Sequence, residues 1–425
     1  MSNKRLRNMV QNAALVALTL SALFLLSRLP LLHNFRWSGQ MQQLLSTGAS
    51  ERGESGSVPA EMFSSVHFMA TGDSEYGRCG QLCVPAEDPG LQTVMSLFRE
   101  AMGSAGQVGV AADATLRSAL EGPGLYLDFT AEGQLPPTAL AVWLGEDVEF
   151  DQSVRAMALT AGEGDDPAAL YLLDGEGNIW LYETALPASA VRSACDGFAP
   201  NGGCFAYETN YGTLSPYTVL VAEAPVLPSL QADLPAGYTA YNLLTALDFN
   251  AHTLSRYTES SGAEVVEESP CTLRISPDGT VSFTSRGEAS SPLYRAGGET
   301  AGMEAYLAAG WRLAGTLTDS TGASPLRLRT VEEQPEGCVL RFRYQAEGVP
   351  VFFSDEGDAL SVTFSGGQVT AFTYRCRLYT PQEEAAQLLP PAMARAIAAT
   401  YPGAGLTVGY EDSGAEQLTA QWLPR

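Results

Sequence analysis

Residues 10–26 are almost wholly apolar, with Gln11, Asn12, Thr19 and Ser21 as the polar members. Arg28 interrupts the run before Leu29, Pro30, Leu31 and Leu32 resume it. A membrane-crossing helix needs about 20 such residues, and an arginine near its end can reach back to the headgroups. Lys4, Arg5 and Arg7 precede the run with no acid among residues 1–8. That bias predicts a cytoplasmic N-terminus and an extracellular body. A cleaved secretory leader, which ends in a small-x-small site, is the rival reading. The sequence that follows here is SRLPLLHNFRW, so the pattern favours an uncleaved single-pass anchor in the cell membrane over residues 1–34.

Residues 35–60 lose the periodicity and become rich in Ser, Gly and Glu, the composition of a flexible tether. Regular patterns then return. In the segment 61–232, Leu91, Val94, Met95 and Phe98 recur at helical spacing, and 112–120 reads as a second short helix. Residues 125–129 alternate as a strand, and Pro136-Pro137 opens another helical turn. Strands are expected over 154–160, 169–173 and 179–183, the last two joined by the turn Asp174-Gly175-Glu176-Gly177-Asn178.

Beyond a linker around Pro235-Ala236-Gly237, two segments, 238–332 and 333–425, carry a weak echo of one another. Residues 273–283 and 359–372 each read as a hairpin, the first around Asp278-Gly279 and the second around Gly366-Gly367. A helix follows each: 301–313, with Met303, Tyr306, Leu307 and Trp311 as its stripe, and 389–400, opening on Pro390-Pro391. Strands at 326–331, 406–410 and 418–423 complete the two units. Duplication and coincidence both account for the echo. The fold class is α+β, a multi-domain body of antiparallel sheets with packed helices.

Charge narrows the function. The 425 residues hold 48 acidic and 24 basic side chains, a formal net charge of -24. Such a field repels phosphate backbones and excludes nucleic acid as a partner held by counterion release. Candidate chemistry is sparse. His67 and His252 sit in settings where a lone histidine is usually a hydrogen-bonded structural residue, and no common hydrolase or nucleotide-binding motif occurs. The pairs Glu267-Glu268, Glu332-Glu333 and Glu383-Glu384 are adjacent, so on a strand they would point to opposite faces; they read as solvated turns. Of the seven cysteines, Cys195 and Cys204 flank a Gly- and Pro-containing stretch and form a candidate disulfide. Cys79 and Cys83 lack metal-ligand spacing, and Cys271, Cys338 and Cys376 read as small hydrophobes in strands. The expectation is a protein without catalytic residues, metal or cofactor.

Three stretches resemble the YycH/YycI family of membrane-anchored regulatory proteins of Gram-positive bacteria. The first is LYLDFTAEGQLPPTALAVWL with FDQSVRAMAL and ALYLLDGEGNIWLY (125–182). The second is RYTESSGAEVVEESPCTLRISPDGTVSF (256–283). The third is YQAEGVPVFFSDEGDALSVTFSGGQVTAFTYRCRLY (344–379) with QLTAQW (417–422), which is similar to a C-terminal unit common to both proteins. The resemblance implies one transmembrane helix, an extracytoplasmic body, and control of an essential cell-wall sensor histidine kinase through membrane contacts, with a second protein of the same family as a further partner. Ala14, Ala17 and Ser21 share a face of the anchor at i, i+3, i+7 spacing and are the candidate transmembrane contact. Small residues are ordinary in such helices, which is the plainer reading. The alternative function is an extracytoplasmic module that captures a peptide or a cell-wall fragment, without kinase control.

Overall fold

In the computed structural model the described residues are 58–72, 77–129, 134–146, 150–252, 255–287, 291–298 and 301–424. The expected anchor and tether, with Ala14, Ala17 and Ser21, lie outside them. Among the described residues no helix is long and apolar enough to cross a membrane.

The N-terminal part is an antiparallel sheet of β1 (Val66–Thr71), β2 (Cys79–Val84), β3 (Gly106–Ala111), β4 (Gly124–Asp128), β5 (Val154–Thr160), β6 (Pro167–Asp174) and β7 (Ile179–Pro187), in the order β2-β1-β4-β5-β6-β7-β3. The alternation along β4 predicts one wet face, yet all five of its residues are buried. The reason is that the sheet has a core on each side. Leu125 and Leu127 point into the main core with Phe68, Met157 and Leu159, against Leu91, Val94 and Phe98 of α1 (Pro89–Met102). Tyr126 points the other way, with Met69 and Ala158, onto Leu116 of α2 (Asp113–Ala119) and the rings of Phe205 and Tyr217. The start of α1 is fixed locally: the Asp88 carboxylate accepts from the Gly90 and Leu91 N–H groups at 2.8 and 3.0 Å, and Pro89 takes the first turn. Two further helices, α3 (Pro137–Leu144) and α4 (Ala188–Cys195), complete this layer.

The chain then forms the short pair β8 (Cys204–Phe205) and β9 (Val219–Leu220), followed by β10 (Pro228–Asp233) and α5 (Ala240–Ala246). A larger sheet takes in β11 (Arg256–Thr258), β12 (Glu264–Glu268), β13 (Cys271–Ile275), β14 (Thr280–Ser285), β15 (Leu326–Gln334), β16 (Gly337–Ala346), β17 (Val349–Phe353), β18 (Leu360–Ser365) and β19 (Gln368–Arg375). β20 (Leu378–Ala385) leaves it to pair with β10, β21 (Leu406–Asp412) joins it parallel to β17, β22 (Gln417–Leu418) pairs β10, and β23 (Ala420–Pro424) closes its edge.

The two expected hairpins are β13–β14 and β18–β19, and they are neighbours. β14 pairs with β19 antiparallel, and Phe283 stacks on its register partner Phe372 with ring centroids 5.2 Å apart. Between the two hairpins in sequence, α6 (Met303–Thr321) lays Leu307, Leu313 and Leu317 on the sheet. Gly310 permits this approach, because a Cβ there would stand 2.4 Å from Leu340 Cδ1. Gly322, at φ 76°, ends the helix. The later helix, α7, spans Pro391–Ala398.

The segments expected at 61–232, 238–332 and 333–425 share structure. β15 runs through the 332–333 boundary, β10 pairs with both β20 and β22, and one core cluster holds residues from Met62 to Ala420.

Candidate functional site

His67 and Cys83 are held inside the fold. β1 places His67 beneath β21, where its Nε2 meets Thr407 Oγ1 at 3.0 Å. Cys83 lies on the neighbouring strand with its Sγ 3.9 Å from that nitrogen and 3.6 Å from the Val408 carbonyl, to which it donates. Burial lowers the His67 pKa, and the opposing charge of Asp128, its register partner on β4, does not reverse this. Burial also pushes the Cys83 thiol up to about 11. A neutral imidazole beside a protonated thiol is the reverse of an activated cysteine, which needs the thiolate. This meeting of His67 and Cys83 has no sequence signal, since β1 and β2 bring it about by a bulged register.

Two acids, Asp412 and Asp358, are likewise enclosed with partners. Asp412 accepts from Tyr379 Oη at 2.7 Å and Arg377 Nε at 3.2 Å. Asp358 bridges Arg329 and Arg341 at 2.7 and 3.0 Å. The adjacent glutamates expected in turns lie on strands: Glu267-Glu268 on β12, Glu332-Glu333 on β15 and Glu383-Glu384 on β20. Their divergence is as expected of strand neighbours, Glu332 reaching Arg341 at 3.0 Å and Glu333 accepting from Thr138 Oγ1 at 2.6 Å. No disulfide joins Cys195 to Cys204. Cys195 ends α4 with its thiol 3.4 Å from the Gly124 carbonyl, whereas Cys204 opens β8 across from Leu220. His252 is exposed on a turn, its N–H bonded to Asn250 Oδ1.

What the surface offers is a face for contact. Pro391 starts α7, and Ala394 and Ala398 pack it onto Leu214, Leu220 and Leu406. Three bonds pin the ends of this segment: Trp422 Nε1 to the Leu389 carbonyl at 2.8 Å, Tyr211 Oη to that of Ala392 at 3.4 Å, and Thr213 Oγ1 to that of Ala399 at 2.8 Å. Met393 and Ile397 of α7, with Leu389 before it and Tyr401 after it, are 55%, 49%, 43% and 54% exposed. Met393 and Ile397 are four residues apart and share one side of the helix. Residues 385–403 hold a single charge, Arg395, and its guanidinium is turned inward to the Val221 carbonyl. Exposed apolar residues without charge make this stretch a candidate contact surface. The sequence shows the spacing, but a stripe of Leu, Met and Ile is ordinarily core, so exposure is what identifies it.

A second surface is a cavity of about 550 Å³ beside β2, bounded by residues 80–85 and 221–225.

No family model and no curated protein matches the chain. Among solved structures, the crystal structure of YycH from Bacillus subtilis is similar, with a TM-score of 0.49 and 10% sequence identity, covering 88% of this chain and 96% of that chain.

Proposed function

We propose that the chain is a membrane-anchored regulatory protein whose body works outside the cytoplasm and sets the output of a sensor histidine kinase by direct protein contact. The observation that carries this reading is the uncharged surface at α7, where Met393 and Ile397 of the helix and the flanking Leu389 and Tyr401 are turned to solvent. An exposed amphipathic helix is a common means of docking into an apolar groove on a partner. The stretches at 125–182, 256–283 and 344–379 that resemble the YycH/YycI family support the same reading and suggest the kinase as the partner.

The mechanism is a population shift. A kinase with two conformations moves toward the one that binds the regulator better, by the difference in affinity and no more. Two contacts contribute. The anchor would lie beside the kinase helices through Ala14, Ala17 and Ser21, and the α7 face would meet the kinase's outer segment. Exchanging residues 10–26 for an unrelated apolar span of equal length separates the two. Output that changes only with this exchange assigns control to the anchor, and output that changes only with α7 substitutions assigns it to the body. Output indifferent to both sinks the proposal. A peptide-binding role is favoured by a different observation, the cavity beside β2.

A further inference from the structure

The β15–β16 hairpin turns at Pro335-Glu336, and three other elements meet it there. The Gly366 N–H, in the turn between β18 and β19, donates to the Glu336 carbonyl at 2.9 Å. Thr138, at the start of α3, donates its hydroxyl to Glu333, and α6 begins alongside at Met303. Gly337 lets the two turns meet, because a Cβ there would stand 2.1 Å from the Phe364 carbonyl oxygen. Together these elements bound a cleft of about 640 Å³, inside the roughly 300–1,000 Å³ range of ligand sites. Ala301, Met303 and Pro335 give it apolar surface, and Glu333, Glu336 and Tyr306 give it polar surface.

Tyr306 points to a ligand. It is 7% exposed, with its ring 5.2 Å from that of Phe364 between centroids. Among the described residues its hydroxyl has no hydrogen-bond partner, although a buried tyrosine hydroxyl ordinarily finds one. The charge around it is of one sign. Glu333 lies on the core side of the hairpin, where burial and its charge push the Cys338 thiol up to about 12. The neighbouring cations are turned elsewhere. Arg341 is on the other face of the hairpin, held by Glu332 and Asp358. Arg312 of α6 donates to the Pro292 and Arg295 carbonyls, and Arg99 donates to the Leu144 carbonyl at the far end of α3. Arg295 is exposed beside its bridge partner Gln368. None of the four is among the lining residues. The start of α6 adds a partial positive charge, which Glu304 in its first turn offsets.

We propose that this cleft binds a small primary alkylammonium compound, its stem on Ala301, Met303 and Pro335 and its ammonium donating to Glu333, Glu336 and the Tyr306 hydroxyl. An anion would meet two like charges there, whereas an ammonium meets two opposite ones. A metal ion is served less well, since among the described residues no three His, Cys, Asp or Glu are grouped to hold one. The ammonium has three donors and no acceptor, which suits a wall of carboxylates with one hydroxyl oxygen. The inference goes beyond the regulatory reading, because the cleft can be occupied whether or not α7 meets a kinase.

The test uses the full chain in nanodiscs of zwitterionic lipid, titrated with n-pentylamine and followed by calorimetry. The expected result is saturable binding at one site. Tyr306→Phe keeps the ring on Phe364 and removes only the hydroxyl, and it should weaken binding about tenfold, the scale of one hydrogen bond to a charged group. Glu336→Gln, on the exposed hairpin turn, should weaken it by at least as much. Glu176→Gln, which changes net charge equally on the exposed turn between β6 and β7, should leave it unchanged. The neutral isostere n-pentanol should not bind. No saturable binding at millimolar amine, equal binding of n-pentanol, or equal losses with Glu176→Gln and Glu336→Gln would each overturn the proposal. So would binding that survives both Tyr306→Phe and Glu336→Gln.

Discussion

His67 shows how a buried polar residue is held in one ionisation state. His67 lies in the interior against Thr407, and burial holds its pKa below the ordinary value of 6.5. Its unfolded form therefore takes up a proton at a pH where the folded form does not. The stability it contributes is complete above about pH 6.5 and is lost as the pH falls below that value. Urea midpoints measured between pH 7.5 and 5 should drop in the wild type, and the slope should flatten in His67→Gln. An equal slope in the two proteins would contradict a neutral buried imidazole. Asp412 is a buried residue held by its hydrogen bonds. Tyr379→Phe removes the 2.7 Å bond to its carboxylate and leaves Arg377 to hold it, a change expected to cost about 1–3 kcal/mol in the same assay.

Among elements, those legible in the sequence are the ones whose cause is local. Pro89 and Asp88 start α1 by themselves, and the Asp174 carboxylate closes the β6–β7 turn on the N–H groups of Glu176 and Asn178. The hairpins at 273–283 and 359–372 likewise follow from turn glycines and alternation. β20 is illegible for the opposite reason: its sequence LYTPQEEA reads as a polar loop, and it is a strand because β10 supplies a partner from 150 residues away in the chain. Of the Glu pairs expected in turns, Glu383-Glu384 shares this cause, whereas Glu267-Glu268 and Glu332-Glu333 end strands whose partners, β13 and β16, come next in sequence. α7 was legible as a helix, but its exposed side was not, because Ala394 and Ala398 pack inward and leave the larger side chains outside. That inversion gives a paired expectation. Met393→Glu with Ile397→Glu should change the unfolding free energy by no more than about 0.5 kcal/mol, as for other exposed sites. Ala398→Leu, on the packed side, should cost about 1–3 kcal/mol by overfilling.

At the scale of the molecule, three segments that look separable in the sequence are joined by sheet pairing. Hairpin β15–β16 and the β10–β20 ladder cross the expected boundaries, and the main core runs from Met62 to Ala420. Calorimetry of residues 58–425 should therefore show one cooperative transition, and resolved independent transitions would contradict a shared core. The acidity of the whole chain gives the α7 face its meaning, since a body carrying this much negative charge repels most acidic surfaces except where charge is missing. The most direct test is to express the full chain with Met393→Glu and Ile397→Glu in cells lacking the native copy, and to measure phosphorylation of the response regulator served by the kinase. The account expects the pair to reproduce the effect of deleting the protein, at unchanged membrane level. Full restoration of wild-type phosphorylation by the substituted chain would contradict it.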